Sequence, residues 1–398
     1  MNVKVYNREV PIFEMEIDDR GRVMSVGKIL KKELMPLPLM NDFSPESVRK
    51  WLDGRKIPED RLGLMEARRA FGKIVDYHRC MFSLSDQYWI QYKETEKWEK
   101  KNFFTNAYNQ DFGRIFFRPW TVNPDDLKQE TPDHTTNGVL KKRWVQDRKT
   151  KESSLIKMGD RSAHQDALSE VLSSMTLERL GLIPFVRYEL IIDGLQYCSK
   201  CVNFIDEKSE FVPASQLFHM EKRDREKDDR RAHFLRMIKK YAPQIKDAEG
   251  YLDRMMFCDY CTLNNDRHLG NFGFIRSAVN GKIQRFAPIF DSGSSFFGNG
   301  NKNGEQSRIF SDEQIRNAVS SVLKSQYGKI SKNLKEKDLV ELVENYPVFS
   351  EQEKKEVVNA ITSVYNDLRA KIRVIQENGG ERRNQDGTGA DRTAEENL

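Results

Sequence analysis

In the middle of the chain the spacing of apolar residues changes from strand-like to helical and then back. The resulting order of strands and helices is the sequence feature that most constrains the fold. Short apolar bursts over 139–156 predict a meander of strands. Apolar residues then recur at helical spacing over 163–180. Two strands follow around a tight turn at Asp193 and Gly194, and after Phe211 the chain is predicted to become helical. The sequence from 311 to about 376 predicts three more helices, with Pro347 between two of them. Strands, one helix, two strands and then a helical region predict an α+β fold.

Residues 1–125 predict a separate N-terminal part. A strand pair opens the chain, and a helix capped by Ser44 ends near Gly54. Pro58 is predicted to open a second helix. Two such helices occur in DNA readers of the helix-turn-helix type and also in small all-helical caps. We expect the cap, because the pattern matches any packed helix pair.

Composition limits the partners and the compartment. The net charge of +5 is the balance of 66 basic and 61 acidic residues, so nucleic acid is not expected as an obligatory partner. No apolar run of about 18 residues exists, and we expect no membrane span. The start of the chain lacks the layout of a signal peptide, and the odd count of five cysteines fits a reducing compartment. A cytoplasmic protein is predicted.

The cysteines form two pairs with the spacing of zinc ligands, Cys198 with Cys201 and Cys258 with Cys261. The first pair lies in a predicted strand, where positions three apart face opposite sides. The second pair lies in a strongly apolar predicted helix. Buried free cysteines are therefore expected rather than a zinc site.

The residues suited to chemistry are concentrated near the start of the last third of the chain. The run NNDRHLGNFGF occupies 264–274, and FDSG follows at 290–293. Asn271 stands five residues after Asp266. A predicted strand, turn and returning strand should bring Asp291 back beside Asn271, because a hairpin pairs residues on either side of its turn.

These three side chains meet the needs of phosphoryl transfer. Mg²⁺ prefers oxygen ligands, and one carboxylate and one amide can hold it while phosphates and water complete the shell. A second carboxylate must orient the attacking hydroxyl and accept its proton. Asp266 is the candidate for the hydroxyl, and Asn271 and Asp291 are the candidates for the metal. A phosphotransferase that uses ATP and Mg²⁺ is predicted.

The same runs resemble the metal-binding segments of the HipA-like serine/threonine kinases, and the DRH run with its later Asn also resembles phosphoinositide-kinase-like enzymes. Upstream, TPDHTTNGVLKKRW at 131–144 is similar to the phosphate-covering loop of the HipA-like family, and SSLIKMG at 153–159 to its lysine-bearing strand. The resemblance covers roughly residues 131–300. It implies a bilobal protein-kinase-like fold, with an antiparallel sheet and one helix in the N-lobe and a mainly helical C-lobe.

The resemblance also implies roles for individual residues. Lys157 would pair with the α- and β-phosphates, steadied by Glu170 or by its rival Glu178 on the same predicted helix. Asp266 would be catalytic, and His268 would support its loop. The loop over the phosphates would comprise Thr135, Thr136, Asn137 and Gly138, and the hinge edge that meets adenine would comprise Val202, Asn203 and Phe204. Thr135 and Thr136 are also candidates for autophosphorylation.

The sequence as a whole predicts four parts. They are an N-terminal cap with the start of the N-lobe at 1–125, a nucleotide-binding N-lobe at 126–205, a helical C-lobe at 206–377 and a disordered tail at 378–398. A Gly- and Asn-rich loop at 294–307 is predicted to move and control access.

The resemblance implies a protein serine or threonine as acceptor and a regulatory or antitoxin-like partner. The chain lacks a G-x-G-x-x-G loop, the H-R-D order and an A-P-E run, which disfavours an ordinary eukaryotic-type kinase. Two alternatives stay open. One is a lipid or small-molecule kinase on the same core, and the other is a non-catalytic kinase-like toxin–antitoxin or DNA-binding partner.

Overall fold

A computed structural model gives the architecture of the protein and describes residues 1–72, 75, 79–159, 165–224, 226, 228–297 and 310–386, with 378–386 described by their backbone alone. Within these residues the backbone forms three antiparallel sheets and eleven α-helices, which confirms the predicted α+β class. The strands are β1 Asn2–Asn7, β2 Val10–Ile17, β3 Val23–Ile29, β4 Tyr88–Gln91, β5 Lys142–Gln146, β6 Ser153–Met158, β7 Tyr188–Asp193, β8 Gln196–Val202, β9 Ser209–Pro213, β10 Gly273–Ser277 and β11 Ile283–Phe286. The helices are α1 Leu37–Asn41, α2 Pro45–Asp53, α3 Leu64–Phe71, α4 Trp98–Lys101, α5 Gln165–Leu180, α6 Ala214–Phe218, α7 Arg230–Tyr241, α8 Ala248–Thr262, α9 Asp312–Asn333, α10 Lys337–Glu344 and α11 Glu351–Asp386.

The N-terminal sheet has the strand order β3-β2-β1-β4. β1 and β2 pair around a turn at Arg8 and Glu9, which confirms the predicted strand pair. Val5 and Phe13 face each other across these strands in a core that also contains residues of α2. β4 joins the free edge of β1 from much later in the chain. The N-terminal sheet is therefore completed by a long-range pairing.

The helices α2 and α3, which follow β3 in the chain, differ in part from the prediction. α2 starts behind Ser44, whose Oγ accepts a hydrogen bond from the Ser47 N–H at 3.2 Å, and it ends before Gly54 as predicted. α3 begins after Gly63 and not at Pro58. The expected all-helical cap is wrong, because α2 packs against β3 of the N-terminal sheet.

The middle sheet has the order β5-β6-β8-β7. Its β5–β6 register places Lys142 directly opposite Lys157. β7 and β8 are joined by a tight turn in which Gly194 has a φ of 70°, and this confirms the predicted hairpin. α5 packs on β7 and β8 and confirms the helix predicted from residue 163, although 160–164 lie outside the described residues.

The C-terminal sheet has the order β11-β10-β9. Phe274 pairs with Phe286 across β10 and β11, which confirms the second predicted hairpin. Both aromatic rings and Phe257 of α8 belong to one large core, to which α7 and α9 also contribute. The chain enters this sheet directly after β8, so the middle and C-terminal sheets are consecutive.

The helices that end the chain follow the predicted order. α9, α10 and α11 confirm the three helices predicted between 311 and 376, and Pro347 lies between the second and the third. The backbone of α11 continues to Asp386, into the segment predicted as a tail, and residues 387–398 lie outside the description. Among the described helices, none combines the length and apolar character needed to cross a membrane.

A buried arginine joins the N-terminal and C-terminal sheets. Arg276 of β10 is 1% exposed, and its Nη1 donates to Glu210 Oε1 at 2.6 Å and to Tyr88 Oη at 2.9 Å. Its Nη2 donates to the Glu33 carbonyl at 2.8 Å, and its Nε donates to the Gly281 carbonyl at 2.7 Å. One guanidinium therefore compensates a buried carboxylate and satisfies backbone groups from both parts of the fold.

We expect Arg276→Met to lower the free energy of unfolding by about 3–5 kcal/mol, because it leaves the Glu210 carboxylate buried without its cation. Arg285→Met on the neighbouring strand is the matched control, since Arg285 is exposed, and it should change stability little. Urea denaturation of the two variants checks this. Equal losses in both would show that the buried pair has no special weight.

Candidate active site

Three elements meet at the ammonium of Lys157. This lysine lies on β6, and its Nζ is 2.6 Å from Glu170 Oε1 and 2.9 Å from Asp291 Oδ1. Glu170 comes from α5, whereas Asp291 follows the C-terminal sheet. Asp291 has a φ of 60°, a left-handed conformation that aspartate adopts more readily than most residues. The structure thus brings together three residues that the sequence placed in one site.

The charges of this group stabilise one another. Burial alone would lower the pKa of Lys157, but the carboxylates of Asp291 and Glu170 raise it well above its ordinary value. Burial alone would raise the pKa of Asp291, but Lys157, Lys142 and Arg267 hold it well below its ordinary value. Lys157 and Asp291 are therefore both ionised at neutral pH.

The structure decides between the two glutamates proposed to steady Lys157. Glu170 is 2% exposed, and its second carboxylate oxygen accepts a hydrogen bond from the Ser199 hydroxyl. Glu178 lies on the surface and forms an ion pair with Arg187. Glu170 is the partner of Lys157.

The loop after α8 carries the other predicted residues. Leu263 ends the helix with a φ of 53°, and the half-buried Asp266 follows. The Asp266 carbonyl accepts hydrogen bonds from the His268 N–H and from Asn271 Nδ2, both at 3.0 Å. His268 Nδ1 accepts from the Gly270 N–H at 3.0 Å, so this imidazole braces the turn. The donor end of the Asn271 amide is anchored, which leaves its oxygen for a ligand.

Arg267 holds this loop against the segment that carries Asp291. Its Nη1 donates to the carbonyls of Asn271 at 2.7 Å and Phe290 at 2.8 Å, and its Nη2 donates to Asp259 at 2.8 Å. One buried guanidinium therefore joins the backbone of Asn271 to Phe290, the residue before Asp291, in addition to the pairing of β10 with β11. The sequence reasoning gave Arg267 no role, and the available signal was its position inside the polar run.

The predicted phosphate loop has its hydroxyls turned inward. Thr135 Oγ1 donates to the Phe82 carbonyl at 2.9 Å, and Thr136 Oγ1 donates to the Pro132 carbonyl at 2.7 Å. Both hydroxyls are buried, so the loop must open before either threonine can accept a phosphate. Within the described residues, the backbone N–H groups of 137–141 donate no hydrogen bond. These N–H groups are therefore available as hydrogen-bond donors to a ligand.

A second lysine, which the sequence reasoning missed, lies beneath this loop. Lys142 is 8% exposed, and a Cβ added to Gly138 would lie 2.3 Å from its Nζ. Burial, with help from the nearby Lys157 and Arg61, lowers the pKa of Lys142 to about 7. The sequence feature that could have identified Lys142 is its position four residues after Gly138, at the start of a predicted strand. Because Lys141 precedes it, the two lysines resemble ordinary surface charge.

The predicted hinge connects the middle and C-terminal sheets. Val202 ends β8 and is exposed, and Asn203 donates through Nδ2 to the Leu84 carbonyl at 3.0 Å. The ring of Phe204 lies 5.6 Å from that of Phe290, the residue before Asp291. Of the three predicted hinge residues, Phe204 therefore lies beside the segment that carries Asp291.

A family model for the HipA-like C-terminal domain matches residues 134–365, more than half of the chain. The chain belongs to the HipA-like family. The match confirms the resemblance and contains every residue proposed for the site.

Two solved structures are similar to this HipA-like chain. HipA of Shewanella oneidensis MR-1, in a toxin–antitoxin complex with HipB and its operator DNA, has a TM-score of 0.55 and 11% identity, with 94% of this chain and 98% of that chain covered. The Helicobacter pylori proinflammatory kinase CtkA has a TM-score of 0.47 and 18% identity, with 63% of this chain and 96% of that chain covered. No curated protein sequence matches the chain significantly. The likeness to HipA shows a shared fold.

The cysteines of this HipA-like chain are all buried and free. Cys198 and Cys201 lie in different apolar clusters on either side of β8, whereas Cys258 and Cys261 both lie in the core around α8. Among the described residues, no group of three His, Cys, Asp or Glu side chains is arranged for a metal ion. In the candidate active site, a metal ion would need ligands from a bound substrate in addition to the oxygens of Asp291 and Asn271.

We expect Glu170→Gln to lower the free energy of unfolding by about 2 kcal/mol, because a buried charge-assisted hydrogen bond to Lys157 is lost. Glu178→Gln makes the same chemical change on the same helix but at the surface, and it should change stability little. Chemical denaturation of both variants checks the assignment. A larger loss for Glu178→Gln would reverse it.

Proposed function

We propose that this HipA-like protein is an ATP- and Mg²⁺-dependent kinase that phosphorylates a serine or threonine of a protein. Its lobes would be 126–205 and 206–377, with the nucleotide between the middle and C-terminal sheets. One observation carries the proposal. A single ammonium, that of Lys157, contacts Glu170 and Asp291, while Arg267 joins the Asn271 backbone to Phe290, the residue before Asp291.

The oxygens beside Lys157 suit a hard cation. Asp291 is 39% exposed, and because its Oδ1 is bound to Lys157, its Oδ2 would bind the metal. The Asn271 amide oxygen would be the second ligand, since Nδ2 is fixed on the Asp266 carbonyl. Two protein oxygens match the small protein share of a magnesium site that is completed by phosphates and water. Bound Mg²⁺ would neutralise charge on the triphosphate.

The opposite side of the site suits phosphate. The N–H groups of 137–141 are available as donors within the described residues, and successive N–H groups form a concave anion site. Lys142 lies directly under Gly138, and Lys157 lies across the strand pair from it. Two ammonium groups and a row of amides would therefore hold the α-, β- and γ-phosphates.

Asp266 would act on the acceptor. Its carboxylate would orient the hydroxyl and accept its proton as the new bond to the γ-phosphorus forms and the bond to the bridging oxygen breaks. ADP is then the leaving group. His268 would support the Asp266 turn through the hydrogen bond that its Nδ1 accepts from the Gly270 N–H.

The protein acceptor and the partner rest on the family and the fold. HipA of Shewanella oneidensis forms a complex with HipB and operator DNA, and this supports an antitoxin-like partner for the present chain. The cytoplasmic location and the hinge role of 202–204 stay predictions. In the loop 294–307, proposed to control access, residues 298–307 lie outside the described part of the chain.

We expect Asp266→Asn and Asp291→Asn each to lower γ-labelled ATP turnover by a factor on the order of 10²–10⁴, because one removes the proton acceptor and the other removes a charged metal ligand. Asp19→Asn makes the same change at an exposed aspartate and should keep full turnover. Undiminished activity in both site variants would refute the mechanism.

Lys142 predicts a pH dependence with a defined sign. Phosphates favour the ammonium form, so ATP binding should raise the pKa of Lys142 from about 7 and take up a proton above that pH. ATP affinity should therefore fall about tenfold from pH 7 to pH 8.5. Calorimetry in buffers of different ionisation enthalpy measures the proton uptake.

Lys142→Met should remove this proton uptake and flatten the pH profile, whereas Lys149→Met, at an exposed lysine, should keep both. An unchanged uptake in Lys142→Met would assign the proton to another group.

A further inference from the structure

The segment between α2 and α3 contacts the proposed phosphate loop through a buried arginine. Arg61 is 3% exposed. Its Nε donates to the Gly138 carbonyl at 2.6 Å, and its Nη2 donates to the Thr136 carbonyl at 2.5 Å. Charge-assisted hydrogen bonds of this kind are stronger than those between neutral groups. Two alternate carbonyls of the loop are thus fixed by one side chain.

Neighbouring contacts reinforce the same arrangement. The Leu62 N–H donates to the Val139 carbonyl at 2.9 Å, and Asn137 Nδ2 donates to the Gly54 carbonyl at 3.3 Å. These contacts join residues that are widely separated in sequence. The segment 54–62 therefore contacts each of the loop residues 136–139.

The geometry of the peptide bond determines where the N–H groups of the loop point once its carbonyls are bound. In a trans peptide, the carbonyl of one residue and the N–H of the next point in opposite directions. Because Arg61 and Leu62 bind the carbonyls of 136, 138 and 139, the N–H groups of 137, 139 and 140 point away from the N-terminal part. Within the described residues these N–H groups donate no hydrogen bond.

The charge of Arg61 is retained in this environment. Burial lowers its pKa to about 10, and the neighbouring Asp133 opposes that shift, so the guanidinium stays protonated at neutral pH. The guanidinium also lies 5.8 Å from the centroid of the Phe116 ring. A fixed, planar, charged donor is suited to holding two carbonyls at once, which a lysine cannot do in the same geometry.

We propose that Arg61 is a positioning residue, through which the N-terminal part of the chain presents the amides of the loop to the triphosphate of ATP. The inference rests on the proposed function. It adds that affinity for the phosphates depends on residues outside the segment 134–365. By linkage, bound ATP must in turn stabilise the contact between Leu62 and Val139.

The first test compares ATP with adenosine as ligands of the full chain. Arg61→Lys should weaken ATP binding about tenfold, the scale of one lost charge-assisted hydrogen bond, and leave adenosine affinity unchanged. Arg69→Lys makes the same substitution at an exposed arginine of α3 and should change neither affinity. Calorimetric titration measures all four constants, with thermal melting as a check on folding.

The outcomes separate the two proposals. If wild type binds ATP and Arg61→Lys binds it equally well, the positioning role is refuted and the kinase proposal stands. Equal weakening of ATP and adenosine would mean that Arg61 only supports the fold. If wild type binds no ATP, both proposals fail together.

A second test needs no variant. Hydrogen exchange of the Leu62 amide, which donates to the Val139 carbonyl, should slow when ATP is added to the wild-type protein and stay unchanged with adenosine. An exchange rate that ATP leaves unchanged would overturn the proposed coupling even if Arg61→Lys failed to fold.

Discussion

The buried ammonium of Lys157 is the interaction on which the arrangement of the site depends. An isolated charge in the interior is costly, so a lysine this deep needs partners of opposite sign. Its two carboxylates come from α5 and from the segment after the C-terminal sheet. The ion pairs therefore link the middle sheet to the C-terminal sheet, and neither half can move far without leaving a charge uncompensated.

Three buried arginines also join separate segments of the chain around the site. Arg267 binds the carbonyls of Asn271 and Phe290. Arg276 ties β10 to the N-terminal sheet, and Arg61 holds the proposed phosphate loop. In each case a planar donor satisfies several groups at once, which a hydrophobic contact cannot do. The proposed active site is thus framed by directional bonds, and the apolar cores lie behind it.

Local chemistry explains which features the sequence could predict. The Ser44 cap and the turn at Asp193 and Gly194 depend on residues next to one another, and both were predicted correctly. β4 has four residues, too few to show a period, and its pairing with β1 was missed. The roles of Arg61 and Lys142 were also missed. Each is decided by which side chains the fold brings beside a loop, and an exposed and a buried cation look alike in sequence.

The contacts of the proposed phosphate loop indicate that residues before the family match also take part in the proposed site. The family match starts at residue 134, yet the carbonyls of the loop are bound by Arg61 and Leu62, which lie before it. A loop of backbone amides binds phosphate well only if the amides are already oriented, because otherwise the binding energy is spent on ordering them. The matched segment alone supplies the lysines and the carboxylates but not this orientation. The segment between α2 and α3 is therefore part of the proposed catalytic apparatus, since it would turn the loop's donors toward the nucleotide.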